Sequence, residues 1–250
     1  MAILRRIVEL AGGTDGNIAV VATASGAPLD PALRYRSLFL DLGIGQASCL
    51  PISSRIQAYD PGVVERIRKS TGVFFTGGDQ LRITSILGGT PVHKALLERR
   101  MEGALVAGTS AGASAMSDIM IVGGPEEEAP KKCTTKLAPG MGLLHDSVID
   151  QHFAQRGRIG RLLSAIAQNP GITGIGIDED TAIEVGPDLC FTVLGSQTVT
   201  VIDGRNIEIT NASERAPDSP LALTDVTLHI LPKGYGYDLK TGKPLAPKGD

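Results

Sequence analysis

Gly108-Thr109-Ser110-Ala111-Gly112 is a G-x-S-x-G pattern that follows a short apolar run. A strand turning sharply into a helix pushes such a serine into a strained, exposed position, where its hydroxyl can act as a nucleophile. Small neighbours let the backbone pass close to itself there. The Ala111 N–H then points at the oxyanion that forms when a carbonyl is attacked, helped by the helix N-terminus. A plain tight turn also uses Gly and Ser; the apolar strand before the motif favours the nucleophile. Gly77-Gly78-Asp79-Gln80 ends the preceding apolar run. Gly78 can supply a second oxyanion donor, because glycine permits close backbone approach. Gln80 can hydrogen-bond a substrate amide. Asp79 reads equally well as the N-cap of a following helix.

A serine nucleophile needs a general base, and the chain has four histidines. His93 lies early in a helical stretch and reads as solvated. His229 alternates with Thr227 and reads as a partly exposed strand residue. His145, near a turn, stays open. His152 closes a short strand in Asp150-Gln151-His152-Phe153, a polar and aromatic group at a strand end that looks like a site. The base in turn needs an acid to hold its tautomer. Asp178-Glu179-Asp180 offers three carboxylates in a row. On a strand Glu179 points away from Asp178 and Asp180, and periodicity does not choose between the two faces. Arg156, Arg158 and Arg161 follow the candidate base. Arg158 and Arg161 share a helix face, and arginine forks suit carboxylates, although a solvated charged face has the same composition.

These groups need elements to place them. Up to residue 120, apolar runs at 17–24, 46–52, 72–76 and 103–108 alternate with amphipathic stretches. The helices open at Pro31, with Leu33, Leu38 and Leu42 on one side, at Asp60-Pro61, and at Pro91, with Leu96 and Leu97. Strands alternating with helices imply right-handed βαβ units around a mostly parallel sheet. Ligands in such sheets bind at the carboxyl ends of strands, where both glycine-rich turns fall. Residues 123–142 read as a long surface loop. A strand over 147–153 leads to a helix over 157–168 with Ile159, Leu162, Leu163 and Ile166 as its stripe. The last third is β-rich, with strands expected at 172–185, 189–194, 198–202 and 226–231. No repeat or linker interrupts the chain, so one domain spanning residues 1–250 is expected.

Composition bounds the function. The chain has 250 residues, of which 42 % are hydrophobic, ample for a sizeable core. A net charge of −3, no Trp and only four Tyr and five Phe argue against a nucleic-acid surface. No run of 18 apolar residues predicts a membrane span. The first residues lack the apolar block of a signal peptide. Three cysteines without ligand spacing suit a reducing compartment, and the cytoplasm is the expected location. Cys49 and Cys190, in apolar runs, read as buried. No His/Asp/Glu set has metal spacing, so neither metal nor cofactor is expected.

Taken together, Phe75-Thr76-Gly77-Gly78-Asp79-Gln80, Gly108-Thr109-Ser110-Ala111-Gly112-Ala113-Ser114, Asp150-Gln151-His152-Phe153 with the three arginines, and Gly176-Ile177-Asp178-Glu179-Asp180-Thr181-Ala182 resemble a known family. They resemble the cyanophycinase branch of the serine peptidase family that also contains the aspartyl dipeptidases (peptidase E). The order Ser, His, acid differs from the Ser, acid, His of α/β-hydrolases. The resemblance implies a three-layer α/β sandwich of the class I glutamine-amidotransferase type. It implies Ser110 as nucleophile, His152 as base and Glu179 as orienting acid. It also implies that Gln80, Asp150, Gln151, Arg156, Arg158 and Arg161 line the substrate site. The implied substrate is cyanophycin, a poly-aspartate with arginine on each side-chain carboxyl, cleaved to β-aspartyl-arginine, and the implied assembly is a homodimer. A dipeptidase acting on aspartyl or isoaspartyl peptides, or a catalytically silent peptide-binding relative, are the alternatives. Members of this family usually begin with an additional apolar strand. This chain begins at the helix that would follow, with Ile3, Leu4, Ile7, Val8 and Leu10 helically spaced, so that strand is expected to be missing from it.

Overall fold

Alternation of apolar strands with capped helices builds the first half of the chain. In the computed structural model, which describes residues 1–247, the order is α1 (Ala2–Leu10), β1 (Asn17–Val21), α2 (Leu29–Asp41), β2 (Gln46–Leu50), α3 (Pro61–Arg68), β3 (Gly72–Phe75), α4 (Gln80–Leu87), α5 (Pro91–Met101), β4 (Leu105–Gly108) and the single turn α6 (Ala111–Ser114). These elements belong to one of two compact units, Met1–Met116 with Pro139–Leu143. Its four strands pair in parallel in the order β2-β1-β3-β4. β1 and β3 are buried almost throughout, which is why they read as continuous apolar runs and not as alternating ones.

The local signals explain the helices. Asp60 caps α3 by accepting from the Gly62 and Val63 amides, with Pro61 in the first helical position. Thr90 caps α5 through the His93 amide, again ahead of a proline. α2 turns inward a face that keeps Leu42 from the expected set but not Leu33. Ala32 and Phe39 are buried, and Tyr35 and Leu42 pack against the same core, whereas Leu33 is 45 % exposed. The aromatic rings decide this. Phe74 on β3 meets Tyr35 at 4.7 Å and Phe39 edge-on at 5.1 Å, contacts that add to plain area burial.

The second unit comprises Ser117–Ala138 and the chain from Leu144 onward. It runs β5 (Ser117–Gly123), β6 (Lys136–Pro139), β7 (Leu144–Gln151), α7 (Ile159–Gln168), β8 (Thr173–Ile177), β9 (Thr181–Val185), β10 (Cys190–Gly195), β11 (Thr198–Asp203), β12 (Thr227–Pro232), β13 (Gly236–Asp238) and β14 (Lys243–Leu245). A six-stranded sheet has the order β12-β11-β8-β7-β5-β6, with β5, β7 and β8 parallel and β11 and β12 added antiparallel. A second, antiparallel sheet has the order β14-β13-β10-β9. The fold is thus mixed α/β with parallel-rich sheets and a β-rich final third, as expected. α7 lays Leu162, Ala165 and Ile166 on Val148 and Ile202. Ile159, counted in that stripe from sequence, is 46 % exposed. The segment read as a surface loop carries β6, and Thr135 and Met141 within it are buried. Cys49 and Cys190 are half-buried and Cys133 is exposed. Among the described residues no helix is long and apolar enough to cross a membrane.

Replacing Asp60 by Ala removes the acceptor for two helix N–H groups and is expected to lower stability by about 1 kcal/mol. Leu33→Ala, on the outward face of α2, is expected to change it by less than about 0.5 kcal/mol. Urea titrations of both variants measure the contrast.

Candidate active site

In the first unit the two glycine-rich turns lie at the carboxyl ends of adjacent parallel strands, with Phe75 of β3 in register with Gly108 of β4. The Thr109 amide donates to the Phe75 carbonyl at 3.0 Å and ties the turns together. Ser110 then adopts φ 51° and ψ −117°, a conformation that non-glycine residues rarely hold. The chain reverses so tightly that a Cβ on Gly108 would lie 2.6 Å from the carbonyl carbon of Gly112. One on Gly112 would lie 2.5 Å from the Phe75 carbonyl oxygen. Both glycines of the motif are therefore steric requirements of the elbow. Ala111, fully buried, opens α6, and the Ser110 carbonyl accepts from Ala113 and Ser114.

The other turn divides its work. Gly77 is the glycine beside the serine: a Cβ there would stand 3.4 Å from Ser110 Cβ and 3.9 Å from its Oγ. Gly78, at φ 142°, is held against the loop that follows β1, where a Cβ would come 2.3 Å from the Ala24 carbonyl oxygen. The Asp79 amide donates to that carbonyl at 2.9 Å. Asp79 caps α4 through the Leu81 amide, as its N-cap reading has it, and Gln80 is the first residue of the helix.

In the second unit β7 and β8 are parallel neighbours, with Gln151 opposite Ile177. His152 follows β7 at φ 52°, and the acidic run follows β8. His152 Nδ1 lies 2.8 Å from Glu179 Oε1. A carboxylate can only accept, so the neutral ring carries its proton on Nδ1 and Nε2 is left as the basic nitrogen. The neighbouring carboxylates have other partners. Asp178 is nearly buried and accepts from the Ala154 and Thr198 amides and the Thr198 hydroxyl. Asp180 accepts from the Ser196 hydroxyl at 2.7 Å. The choice that strand periodicity left open is thus made by hydrogen bonding: Glu179 is the acid that meets His152.

The remaining histidines sit elsewhere. His93, expected to be solvated, is half-buried; its Nδ1 accepts from the Gly89 amide and its Nε2 lies 2.8 Å from the Met141 carbonyl. His145 pairs with Asp118 at 3.0 Å. His229 packs on Tyr237, with ring centroids 5.5 Å apart.

Asp150, Gln151, Arg158 and Arg161 form one cluster. Arg161 Nε donates to Asp150 Oδ2 at 2.6 Å and its Nη2 to Oδ1, with both side chains almost wholly buried. The guanidinium that Asp150 holds is therefore the protein's own. Arg158 Nη1 donates to the Gln151 carbonyl at 2.5 Å and to its Oε1 at 2.7 Å. Arg156 is half exposed. Glu126 joins the cluster from the 123–142 segment, accepting from Arg158 Nη2 at 2.7 Å. No local pattern marks Glu126 in the sequence. The available signal is a run of three glutamates, 126–128, in a chain with three closely spaced arginines downstream.

Chemically, the first unit offers a strained serine beside helix-terminal amides. The second offers a carboxylate-oriented imidazole beside an arginine cluster. Comparison with known proteins gives these groups a context. The sequence profile described as Peptidase family S51 matches residues 1–191. The cyanophycinase of Geminocystis herdmanii is 41 % identical over 245 residues, 98 % of this chain and 90 % of the relative. Those of Synechococcus elongatus and a Nostoc species are each 38 % identical, over 96 % and 95 % of this chain and 74 % and 80 % of theirs. The crystal structure of a peptidase from an acI-B1 Actinobacterium superposes with a TM-score of 0.64 over 91 % of this chain and 90 % of that one. At 21 % identity that likeness speaks for the fold alone. The chain belongs to peptidase family S51 and is a serine-type peptidase.

Proposed function

We propose that this peptidase hydrolyses cyanophycin to β-aspartyl-arginine dipeptides, with Ser110 as nucleophile, His152 as general base and Glu179 as the acid that orients it. The observation that carries the reading is the 2.8 Å hydrogen bond between His152 and Glu179, which fixes which ring nitrogen is basic. The strained backbone at Ser110 supports the nucleophile, and the curated relatives named cyanophycinases support the substrate. The proposal requires both units to act as one catalytic domain.

In the proposed reaction His152 Nε2 takes the Ser110 hydroxyl proton while Oγ attacks an aspartyl backbone carbonyl. The tetrahedral oxyanion rests on N–H groups at Ala111 and Gly78. Collapse breaks the C–N bond, and the imidazolium returns its proton to the leaving amine. Water, deprotonated by the same imidazole, then releases the acyl group from Ser110. Arg156 and Arg158 take the free carboxylates of the substrate; Gln80 and Gln151 bind its amides. Asp150 and Arg161 hold the end of β7 in place beneath them.

Incubation of purified protein with cyanophycin is expected to release β-aspartyl-arginine, read by mass spectrometry. Ser110→Ala is expected to lower kcat by about 10⁴-fold or more, since the covalent step disappears. Release by that variant at the wild-type rate refutes the assignment. Glu179→Gln keeps the shape but removes the preference for the Nδ1–H tautomer. It is expected to lower kcat by about 10³- to 10⁴-fold with a much smaller change in KM.

A further inference from the structure

Arg158 is already holding a carboxylate. Its Nη2 and Nε both donate to one oxygen of Glu126, at 2.7 and 3.1 Å, while its side chain is only 7 % exposed. The edge of a guanidinium placed on a carboxylate oxygen is how proteins recognise free carboxylates. Asp150 is a longer, shared partner of Arg158: its nearest oxygen is 3.4 Å from Nη1, and both its oxygens are also engaged by Arg161. Glu126 is thus the principal counter-ion of a nearly buried cation, and such a cation is costly to leave unpaired.

The backbone that delivers Glu126 is firmly seated. The Glu127 amide donates to the Gly157 carbonyl at 3.1 Å. The Glu128 carbonyl oxygen lies 1.7 Å from where a Cβ on Gly160 would be, so only glycine at 160 lets the segment lie on the first turn of α7. The Lys131 amide donates to Ser164 Oγ at 3.2 Å, one turn further along that helix. The Glu126 side chain, by contrast, is 42 % exposed and can swing into solvent while this backbone stays in place. Arg156, half exposed, stands 3.7 Å from the same carboxylate oxygen.

We propose that Glu126 is a built-in competitor for the substrate carboxylate at Arg158, so that residue 126 sets the affinity for acidic peptide. The inference rests on the reading that this arginine cluster takes substrate carboxylates. Substrate then exchanges one carboxylate for another at Arg158, and the buried guanidinium remains paired throughout. The hydrogen bond from Arg158 holds the Glu126 carboxyl below its ordinary pKa.

Glu126→Gln and Glu126→Ala, made in the full chain, test this. Both are expected to lower KM for cyanophycin by about three- to fivefold and to raise kcat/KM, the effect of removing one partly exposed competing ion pair. Succinate, used as a free dicarboxylate probe, is expected to raise the melting temperature of Glu126→Ala and not that of the wild type. An unchanged or higher KM in both variants overturns the proposal. So does succinate that stabilises both proteins equally, or neither. Failure of the wild type to cleave cyanophycin sinks the functional reading instead, and the succinate comparison still decides the role of Glu126.

Discussion

The constraint on which the serine turn depends is the contact of Gly108 with Gly112 across the backbone that carries Ser110. No side chain fits at either position, since a Cβ on Gly108 meets the Gly112 carbonyl group and one on Gly112 meets the Phe75 carbonyl. The positive φ of Ser110 follows from that closeness. The rest of the first unit exists to hold the closeness in place. Parallel pairing sets Phe75 beside Gly108, and the Thr109–Phe75 hydrogen bond then fixes the two strand ends together. Backbone strain of this kind persists only where the surroundings over-determine it. Here a buried parallel sheet with a core of interlocked aromatic rings does so.

The second unit solves a different problem, the placement of charge. Three arginines fall within nine residues after His152. Left in an apolar setting they would be prohibitive, and left in water they would be mobile. The protein pairs Arg161 with Asp150 out of solvent, where each satisfies the other, and binds Arg158 to the last carbonyl of β7 and to Glu126. A buried pair of this sort adds little net stability against an apolar alternative, but breaking it by removing one partner is expensive. Its effect here is geometric. The Gln151 carbonyl directly precedes His152, so the arginine network and the imidazole share one piece of backbone. Asp178 does the same from the other side, linking the turn after β8 to Ala154 and Thr198.

Much of this was readable in the residues. Apolar runs, proline-opened helices and Asp60 gave the alternating elements of the first unit, because those signals are local. The serine elbow and the strand-end histidine were readable for the same reason. What sequence did not disclose depends on long-range packing. The inward face of α2 follows from rings on β3, not from the spacing of leucines, and so Leu33 turned out exposed. The strands β13 and β14, three residues each, carry no periodicity long enough to detect. The three consecutive carboxylates looked alike in sequence, and only their partners on distant segments separate Glu179 from Asp178 and Asp180. Glu126 is the extreme case, a residue 32 positions from the arginine it meets.

The segment bearing Glu126 is attached to α7 through its main chain, through the close approach that glycines at 157 and 160 allow, and through the side chains of Glu126 and Thr135. Where the main chain makes the attachment, at Glu127 and Lys131, the path of the backbone does not depend on which side chain stands there. The protein thereby carries an adjustable dial next to fixed machinery. On the role proposed for Glu126, a substitution at that one loop position retunes how strongly the arginine cluster attracts anions and leaves the serine, the histidine and their supporting glycines untouched.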